Sequence, residues 1–282
     1  MDLRIFLLVL ASAFLHAMWN FAARKASGSL PVMWLGVCLA SLLCMPVALT
    51  CFLRWSELLI GWPYILGTGL FHCFYFILLA RCYEQGEISY VYPVARGTGV
   101  AGTALTAHVL IGENITWMGF SGICAIAGGI LFLGLKSTGS LHSRNTGVLA
   151  LSVGGCIVGY SLVDKLGVGT VHPVFYIFSM FFLTAFLCVP YVLHKHGWEC
   201  IEAIRTSKRY IAVIGLGSMG TYLIILYTFR TGQVSYIVAL REFAVVIGSV
   251  LGVVFLKEPL TWKKAAGIAA IVAGLVLLKL AN

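Results

Sequence analysis

The sequence predicts an all-α membrane protein in which ten transmembrane helices form two inverted repeats of five helices each. Three observations support this fold class. Of the 282 residues, 60% are apolar and only 10% are charged, whereas soluble domains are about 45–50% apolar and about 25% charged. The apolar residues fall into ten stretches of transmembrane length, and the second five stretches repeat the pattern of the first five.

The composition excludes a soluble globular protein and a disordered chain. The mean hydropathy is +0.98, and a disordered chain combines low hydrophobicity with high charge. The formal net charge is +9, from 19 Lys and Arg against 10 Asp and Glu. Most of these basic residues lie between apolar stretches, where they orient a membrane protein. We therefore expect a lipid bilayer as the surroundings and no nucleic-acid partner.

Each apolar stretch has the length of one membrane-crossing helix, which needs about 20 residues. The first stretch is too long for a signal-peptide core, so we expect it to be retained as a helix. Short connections join the stretches, with longer loops expected only near 136–145 and 194–209. No segment is long enough for a soluble catalytic domain. The predicted spans cover residues 3–23, 31–53, 62–82, 89–110, 115–135, 146–165, 171–193, 210–229, 235–256 and 261–280.

Residues in the second half of the chain match residues in the first half at a nearly constant spacing. A spacing of 146 aligns Gly-Glu-Ile-Ser-Tyr at 86–90 with Gly-Gln-Val-Ser-Tyr at 232–236. We therefore expect one repeat in residues 1–137 and a second in residues 146–282. After a slip of one residue the spacing becomes 145, and the matched pairs are Arg96 with Arg241, Glu113 with Glu258, Trp117 with Trp262, Gly122 with Gly267, and Gly129 with Gly274.

The odd number of spans in each repeat predicts that the second repeat enters the membrane upside down relative to the first. Inverted repeats related by a pseudo-two-fold axis are typical of secondary transporters, which bind their solute near the midplane. Loops after odd-numbered spans carry twelve Lys and Arg, against five on the opposite side. This bias predicts that the odd-numbered loops face the cytoplasm and that both termini face outward.

Two related motifs give the chain a family resemblance. They are Gly-Glu-Asn-Ile-Thr-Trp at 112–117 and Lys-Glu-Pro-Leu-Thr-Trp at 257–262, each followed by a glycine-rich helix. With His-Ala-Met-Trp-Asn at 16–20, they make the chain resemble the ten-helix EamA-type branch of the drug/metabolite transporter superfamily over nearly its whole length. The resemblance implies a transporter of amino acids, other metabolites or drugs. Some relatives have both termini in the cytoplasm, opposite to the orientation that the charge bias predicts.

Charged residues inside the predicted spans mark the candidate binding site, since each costs at least about 2.5–3.5 kcal/mol at the bilayer centre. Arg96 lies about eight residues into span four, and its repeat mate Arg241 is followed by Glu242 in span nine. A guanidinium can bind a carboxylate or phosphate through two parallel hydrogen bonds. The alternative is a structural arginine paired with an acid on another helix. Together the three charges predict a net-positive cavity suited to an anionic or zwitterionic solute.

Polar side chains at helical spacing supply the remaining candidates for substrate binding. His16 and Asn20 share a face of span one, His72 lies in span three, and Tyr92 shares the face of Arg96. A histidine with its ordinary pKa of about 6.5 is suited to carrying a proton, although a neutral packing role is the common alternative. We expect Asp164 and Lys165, at the end of span six, to form an exposed pair at the membrane interface.

Several activities lack sequence support. The chain contains no G-x-S-x-G, H-E-x-x-H or carboxylate cluster, so we predict no enzymatic activity, no cofactor and no metal site. It also lacks an ATP-binding motif. We therefore expect coupling to an ion gradient, with Glu242 or a histidine as a proton carrier, or to the gradient of the solute itself.

We accordingly predict a secondary transporter that moves a small polar, anionic or zwitterionic metabolite by alternating access. An amino acid or an organic acid would fit this description. The alternatives are a flippase for a lipid or lipid-linked phosphate head group, a multidrug exporter, and a non-transporting assembly subunit. We expect a multi-pass monomer or homodimer in the inner (plasma) membrane of a bacterium.

Overall fold

The computed structural model describes residues 1–26, 29–50, 55–84, 88–134 and 144–281, and these ranges are almost entirely α-helical. Seven helical segments in them are long and apolar enough to cross a membrane, and α2 adds a shorter apolar one. The chain is thus an all-α membrane protein, as predicted. Its helices are α1 (Leu3–Lys25), α2 (Leu30–Thr50), α3 (Trp55–Glu84), α4 (Ile88–Thr106), α5 (Trp117–Gly134), α6 (Arg144–Thr170), α7 (Pro173–Thr206), α8 (Lys208–Thr231), α9 (Val234–Arg241), α10 (Phe243–Leu256) and α11 (Trp262–Leu280).

The end of the fourth span shows why its sequence stops being helical. After α4 the chain makes one π-helical turn over Ala107–Ile111 and then reaches Gly112, whose φ is +75°. That left-handed conformation is costly for residues with a Cβ atom, so glycine is suited to it. The turn places Glu113 at the start of the connection to α5. Glu113 is the first residue of the motif at 112–117 that has an identical residue, Glu258, in the second repeat.

Span nine is not one continuous helix over 235–256 as predicted. It divides into α9 and α10 at Glu242, whose backbone N–H bonds to Ala239 O at 3.1 Å in a tighter turn. Arg241 ends α9, and Glu242 precedes the first turn of α10. A cation at a helix C-terminus and an anion at an N-terminus both complement the backbone dipoles, which gives this break a local electrostatic rationale.

The prediction of a long loop at 194–209 is also wrong, because α7 continues to Thr206 and α8 begins at Lys208. The chain bends at His196, where φ is −133° and ψ is 23°. Beyond the bend, Cys200 and Ala203 are buried. These apolar contacts explain why the segment remains helical although its composition is more polar than that of a membrane span. The other long loop, near 136–145, lies mostly outside the described residues.

The glycines of α5 and α11 demonstrate that the repeats are inverted. A Cβ added at Gly274 would lie 2.6 Å from the backbone oxygen of Gly122, and one added at Gly129 would lie 2.9 Å from that of Gly267. Contacts therefore run in opposite numerical directions along the two helices, which makes them antiparallel. Because α5 and α11 are equivalent helices of the two repeats, the repeats have opposite orientations. Small residues allow this close approach.

The other helix pairs follow the same pseudo-two-fold relation. Helix α1 packs against α8 as α6 packs against α3, and α2 packs against α8 as α7 packs against α3. Helices α2 and α7, which are also equivalent, pack against each other. The two repeats thus interlock rather than sit side by side, and the space between them is lined by helices from both.

Candidate functional site

A cavity lies between the two repeats and leaves about 70 Å³ accessible to the centre of a water molecule. Its apolar walls come mainly from α2 and α7, and its polar side chains come from α7 and six other helices. The polar and aromatic-polar residues that line it are His16, Trp19, His72, Tyr75, Arg96, Tyr160, Thr184, Ser218, Thr221, Tyr222 and Arg241.

Arg96 joins three elements at one side of the cavity. Its Nε lies 3.1 Å from Glu242 Oε2, and the two side chains are only 3% and 2% exposed. Its Nη2 lies 3.0 Å from His16 Nε2, and because a guanidinium can only donate, that imidazole nitrogen is the acceptor. The guanidinium also lies 5.6 Å from the ring centre of Tyr92. The structure thus gives Arg96 the acidic partner on another helix that the sequence left as an alternative.

Arg241 has a different environment from its repeat mate. Its Nη2 donates to Tyr160 OH at 3.4 Å, and it belongs to none of the ion pairs found among the described residues. Among the described residues, Nε of Arg241 has no hydrogen-bond partner, and the same is true of Nε of Arg96, which has only the ion pair with Glu242. Since Arg96 is balanced by Glu242, Arg241 leaves one positive charge in the cavity wall. A buried charge of this kind is costly unless an opposite charge compensates it.

An aromatic wall faces the two arginines. His72 stacks on Tyr160 with 4.3 Å between ring centres and an angle of 23°, and it meets Tyr222 edge-on at 5.4 Å. Its Nδ1 lies 2.9 Å from Thr68 O, and because a carbonyl can only accept, Nδ1 carries the proton. In the neutral ring the opposite nitrogen, Nε2, is therefore an acceptor.

Further polar atoms in the cavity wall lack partners. Among the described residues, Trp19 Nε1, Thr184 Oγ1 and Thr221 Oγ1 are buried and make no hydrogen bond. Buried polar atoms in proteins are nearly always hydrogen-bonded. These three atoms are consequently suited to a polar solute that enters the cavity.

The structure brings the predicted site residues into one region but gives them different positions. Glu242 and Tyr92 contact Arg96 without lining the cavity. Asn20 is turned to its own helix, where its Nδ2 donates to His16 O at 2.7 Å. The predicted residues in the cavity wall are His16, His72, Arg96 and Arg241.

The expectation of an exposed Asp164–Lys165 pair is wrong. Asp164 is fully buried and accepts hydrogen bonds from Tyr176 OH at 2.8 Å and from Tyr222 OH. Lys165 donates instead to backbone oxygens at the end of α8. Adjacent helical residues point about 100° apart, so the two side chains reach different neighbours.

Tyr160, Tyr222 and Asp164 were not among the predicted site residues. Other polar or aromatic-polar residues of the cavity wall that the prediction did not include are Trp19, Tyr75, Thr184, Ser218 and Thr221. One signal was available, since Tyr160 and Asp164 lie four residues apart on a helix and hence on one face. Tyr222 had no comparable signal, because it reaches Asp164 only through the packing of α8 against α6.

The repeat-related glutamates make different contacts at opposite ends of the molecule. Glu113 is buried, and its carboxylate accepts from Val234 N at 2.6 Å and from Ser235 Oγ at 2.6 Å, at the N-terminus of α9. Glu258 binds Arg24 Nη2 at 2.5 Å and Lys264 Nζ at 2.9 Å. The hydrogen bond from Lys264, with a contribution from Arg24, lowers the pKa of Glu258 below its usual value.

Comparisons with known proteins agree with this architecture. The model of a family described as the EamA-like transporter family matches residues 3–135 and again residues 145–280. A solved structure described only as a crystal structure of a protein is similar, with a TM-score of 0.71 and 19% sequence identity. The match covers 99% of this chain and 98% of that one. At this identity the likeness shows a common fold alone, and no curated protein matches the chain.

Proposed function

The chain belongs to the EamA-like transporter family, and from this premise we propose that it carries a small anionic or zwitterionic metabolite across the membrane. An amino acid or an organic acid has the required size and charge. The observation that carries this substrate class is the buried guanidinium of Arg241, which faces the cavity and has no acidic partner among the described residues.

The charges around the cavity favour an anionic group over a cation. Glu242 already lies 3.1 Å from Arg96, so that carboxylate is engaged and does not line the cavity. Arg241 remains as a charge of the cavity wall without an ion-pair partner among the described residues, and a guanidinium binds a carboxylate or phosphate through two hydrogen bonds. A lipophilic cation would meet the guanidinium of Arg241 in the cavity wall, whose described lining includes no carboxylate.

Uncharged groups of the cavity suit the remainder of such a solute. Trp19 and Thr184 present polar atoms without partners, and the rings of His72 and Tyr160 supply an apolar face. The cavity also adjoins the break between α9 and α10, and discontinuous helices near the midplane typically form transporter binding sites. These features support alternating access, in which the repeats move around the bound solute.

A binding screen of the purified protein in detergent tests the substrate class. The panel contains amino acids, organic acids, phosphorylated and phosphonate metabolites, and cationic drugs, and the readout is the unfolding temperature. A ligand at a hundredfold excess over its dissociation constant stabilises the folded state by about 2.7 kcal/mol. We expect stabilisation by one or more anionic or zwitterionic compounds, followed by their uptake into vesicles that contain the protein.

Three arginine variants make the screen specific to the site. Arg241→Ala should abolish the stabilisation, and Arg241→Lys should weaken it because the planar fork is lost. Arg230→Ala, which removes an exposed arginine at the end of α8, should leave it unchanged. Stabilisation by cationic drugs alone would contradict the proposal, and movement of lipid head groups without solute uptake would favour a flippase.

We also propose that the protein acts in the inner membrane of a bacterium as a monomer or homodimer. Support for the monomer comes from the cavity, whose described lining is contributed by both repeats of one chain. Light scattering of the detergent-solubilised protein measures the oligomeric state, and a larger assembly would contradict this part of the proposal.

A further inference from the structure

Asp164 lies just outside the cavity in a polar cluster that solute binding alone does not require. The carboxylate is fully buried. It accepts one hydrogen bond from Tyr176 OH at 2.8 Å and another from Tyr222 OH. Tyr222 also lines the cavity, so a single side chain joins the carboxylate to the space where the solute would bind.

No cation neutralises this carboxylate within ion-pair distance in the described part of the chain. Lys165, its neighbour in sequence, donates to Phe229 O at 2.5 Å and to Gly232 O at 2.9 Å. Arg241 acts on Asp164 only as a more distant charge. An ionised carboxylate in such surroundings is expensive, and gaining a proton removes the cost.

Three of the helices around Asp164 contribute hydroxyl groups that are compatible with either protonation state. Helix α3 provides the Thr68 hydroxyl, α7 provides Tyr176, and α8 provides Tyr222. In the described part of α4, the titratable side chains turn elsewhere, since Arg96 pairs with Glu242 and lies over Tyr92. The surrounding hydroxyl groups can each donate or accept a hydrogen bond.

We propose that Asp164 is the proton-binding site that couples solute movement to a proton gradient. The inference rests on the proposed function and adds its energy source. One proton from the solution that reaches the cavity adds to the carboxylate and forms a neutral carboxyl group. The same proton leaves Asp164 on the opposite side of the membrane after the repeats have changed their orientation.

Tyr222 provides the link between proton and solute. While Asp164 is ionised, the Tyr222 hydroxyl donates to it. Once protonated, the carboxyl group becomes a donor and can give its hydrogen bond to the Tyr222 oxygen. The Tyr222 O–H is then released toward the cavity, where it can donate to an anionic solute. Proton binding and anion binding therefore reinforce each other, which gives symport.

Glu242 is less suited to this role, although its sequence position made it a candidate carrier. Its carboxylate lies 3.1 Å from the Arg96 guanidinium, so adding a proton would leave that buried arginine without its acidic partner. Protonation of Asp164 removes no such ion pair. The two carboxylates thus divide the tasks of holding Arg96 and exchanging a proton.

Infrared spectroscopy of the intact protein in lipid vesicles tests proton binding without any solute. A carboxyl stretching band should change with pH in the wild type and in Glu199→Gln, which removes an exposed acid. It should be missing from Asp164→Asn. A wild-type spectrum without a titrating band that depends on Asp164 would overturn the inference.

Transport in vesicles tests the coupling, with the compounds of the panel as probes. Asp164→Asn imitates the neutral carboxyl group, so it should retain solute exchange between equal pH values. Accumulation driven by a pH gradient should fall about tenfold or more relative to the wild type and Glu199→Gln, within the usual range of two-site coupling. Retained pH-driven accumulation, or accumulation driven by sodium instead, would contradict the role of Asp164.

The two proposals fail in distinguishable ways. If the wild type binds and moves no compound of the panel, the proposed function fails, whereas the infrared titration still decides whether Asp164 exchanges a proton. If transport is present but independent of pH in every variant, the proposed function stands and the inference is wrong.

Discussion

Arg96 and Arg241 occupy equivalent positions in the two repeats, but their surroundings differ in charge. Arg96 lies 3.1 Å from Glu242, whereas Arg241 donates to the neutral hydroxyl of Tyr160 at 3.4 Å. The difference arises because Glu242 has no acidic counterpart in the first repeat, where Arg96 is followed by Gly97. The presence of a glutamate after Arg241 but a glycine after Arg96 thus leaves Arg96 in an ion pair and Arg241 available to a solute.

Replacing Glu242 by Gln should destabilise the protein strongly. The substitution leaves the Arg96 charge buried without its partner, and breaking a buried pair typically costs about 3–5 kcal/mol. Unfolding in mixed micelles measures the free energy. The double variant Arg96→Met with Glu242→Gln should recover part of the loss, since it removes the unpaired charge as well. A loss in the double variant equal to the sum of the two single losses would show that the side chains do not interact.

The Glu258 carboxylate should make the free energy of unfolding depend on pH in the acidic range. Its pKa is lower in the folded protein because Lys264 and Arg24 bind the ionised form. Its contribution to stability is therefore complete above the pKa that Glu258 has in the unfolded chain, and it is lost as the pH falls through the pKa that Glu258 has in the folded protein. Because Glu258 is partly exposed, we expect less than about 1 kcal/mol. The stability difference between wild type and Glu258→Gln should shrink toward zero on acidification, and a constant difference would contradict this assignment.

Helices α5 and α11 meet through glycines, and this contact sets how closely the two repeats approach. Gly122 faces Gly274, and in each case the nearest atom that a new side chain would strike is a backbone oxygen of the other glycine. Backbone atoms cannot turn away as a side chain can. The spacing between these helices thus depends on the absence of Cβ atoms.

Gly274→Ala should therefore destabilise the protein by about 1–3 kcal/mol, as overpacking typically does. The added Cβ would lie 2.6 Å from the backbone oxygen of Gly122. Gly128→Ala is the matched control, because a Cβ there meets nothing within 4 Å and alanine favours a helix interior. Thermal unfolding of the two variants measures the contrast. Equal unfolding temperatures would show that α5 and α11 are not packed this closely.

At the scale of the whole molecule, the two repeats differ in the contacts made by their equivalent glutamates. Glu113 binds the first turn of α9 in the other repeat, and Glu258 binds Arg24 and Lys264. The Glu113 contact belongs to the end of the molecule that carries the chain termini, where Met1 N donates to Ala281 O at 2.9 Å. It joins the repeats at that end.

Glu113→Ala should open the terminus side of the molecule, because three donors of α9 lose their acceptor: Val234 N–H, Ser235 N–H and the Ser235 hydroxyl. A cysteine placed at Gln233, whose side chain bonds to Asn114 O nearby, reports the change in a background without native cysteines. Its labelling by a membrane-impermeant maleimide should accelerate several-fold. Glu258→Ala should not accelerate it, since its contacts lie at the other end. An equal effect of both variants would indicate general loosening rather than opening of one side.

The membrane spans and the repeat were available from the sequence because both depend on local properties. Insertion of a helix reflects the hydrophobicity of its own residues. The spacing of 145 residues between Arg96 and Arg241, and between Glu113 and Glu258, can be read from the sequence alone. The same reasoning identified the arginines, since a charge inside an apolar stretch stands out wherever it later packs.

The partners of those charges required the tertiary structure. Hydrophobicity along a stretch says which residues enter the bilayer but not which helix faces meet there. The pairing of Arg96 with Glu242 and the hydrogen bonds of Asp164 with Tyr176 and Tyr222 each join residues from different helical spans. Hydrogen bonds and ion pairs act over a few ångströms, so only the packing of all the helices decides which polar groups satisfy one another and which remain for a solute.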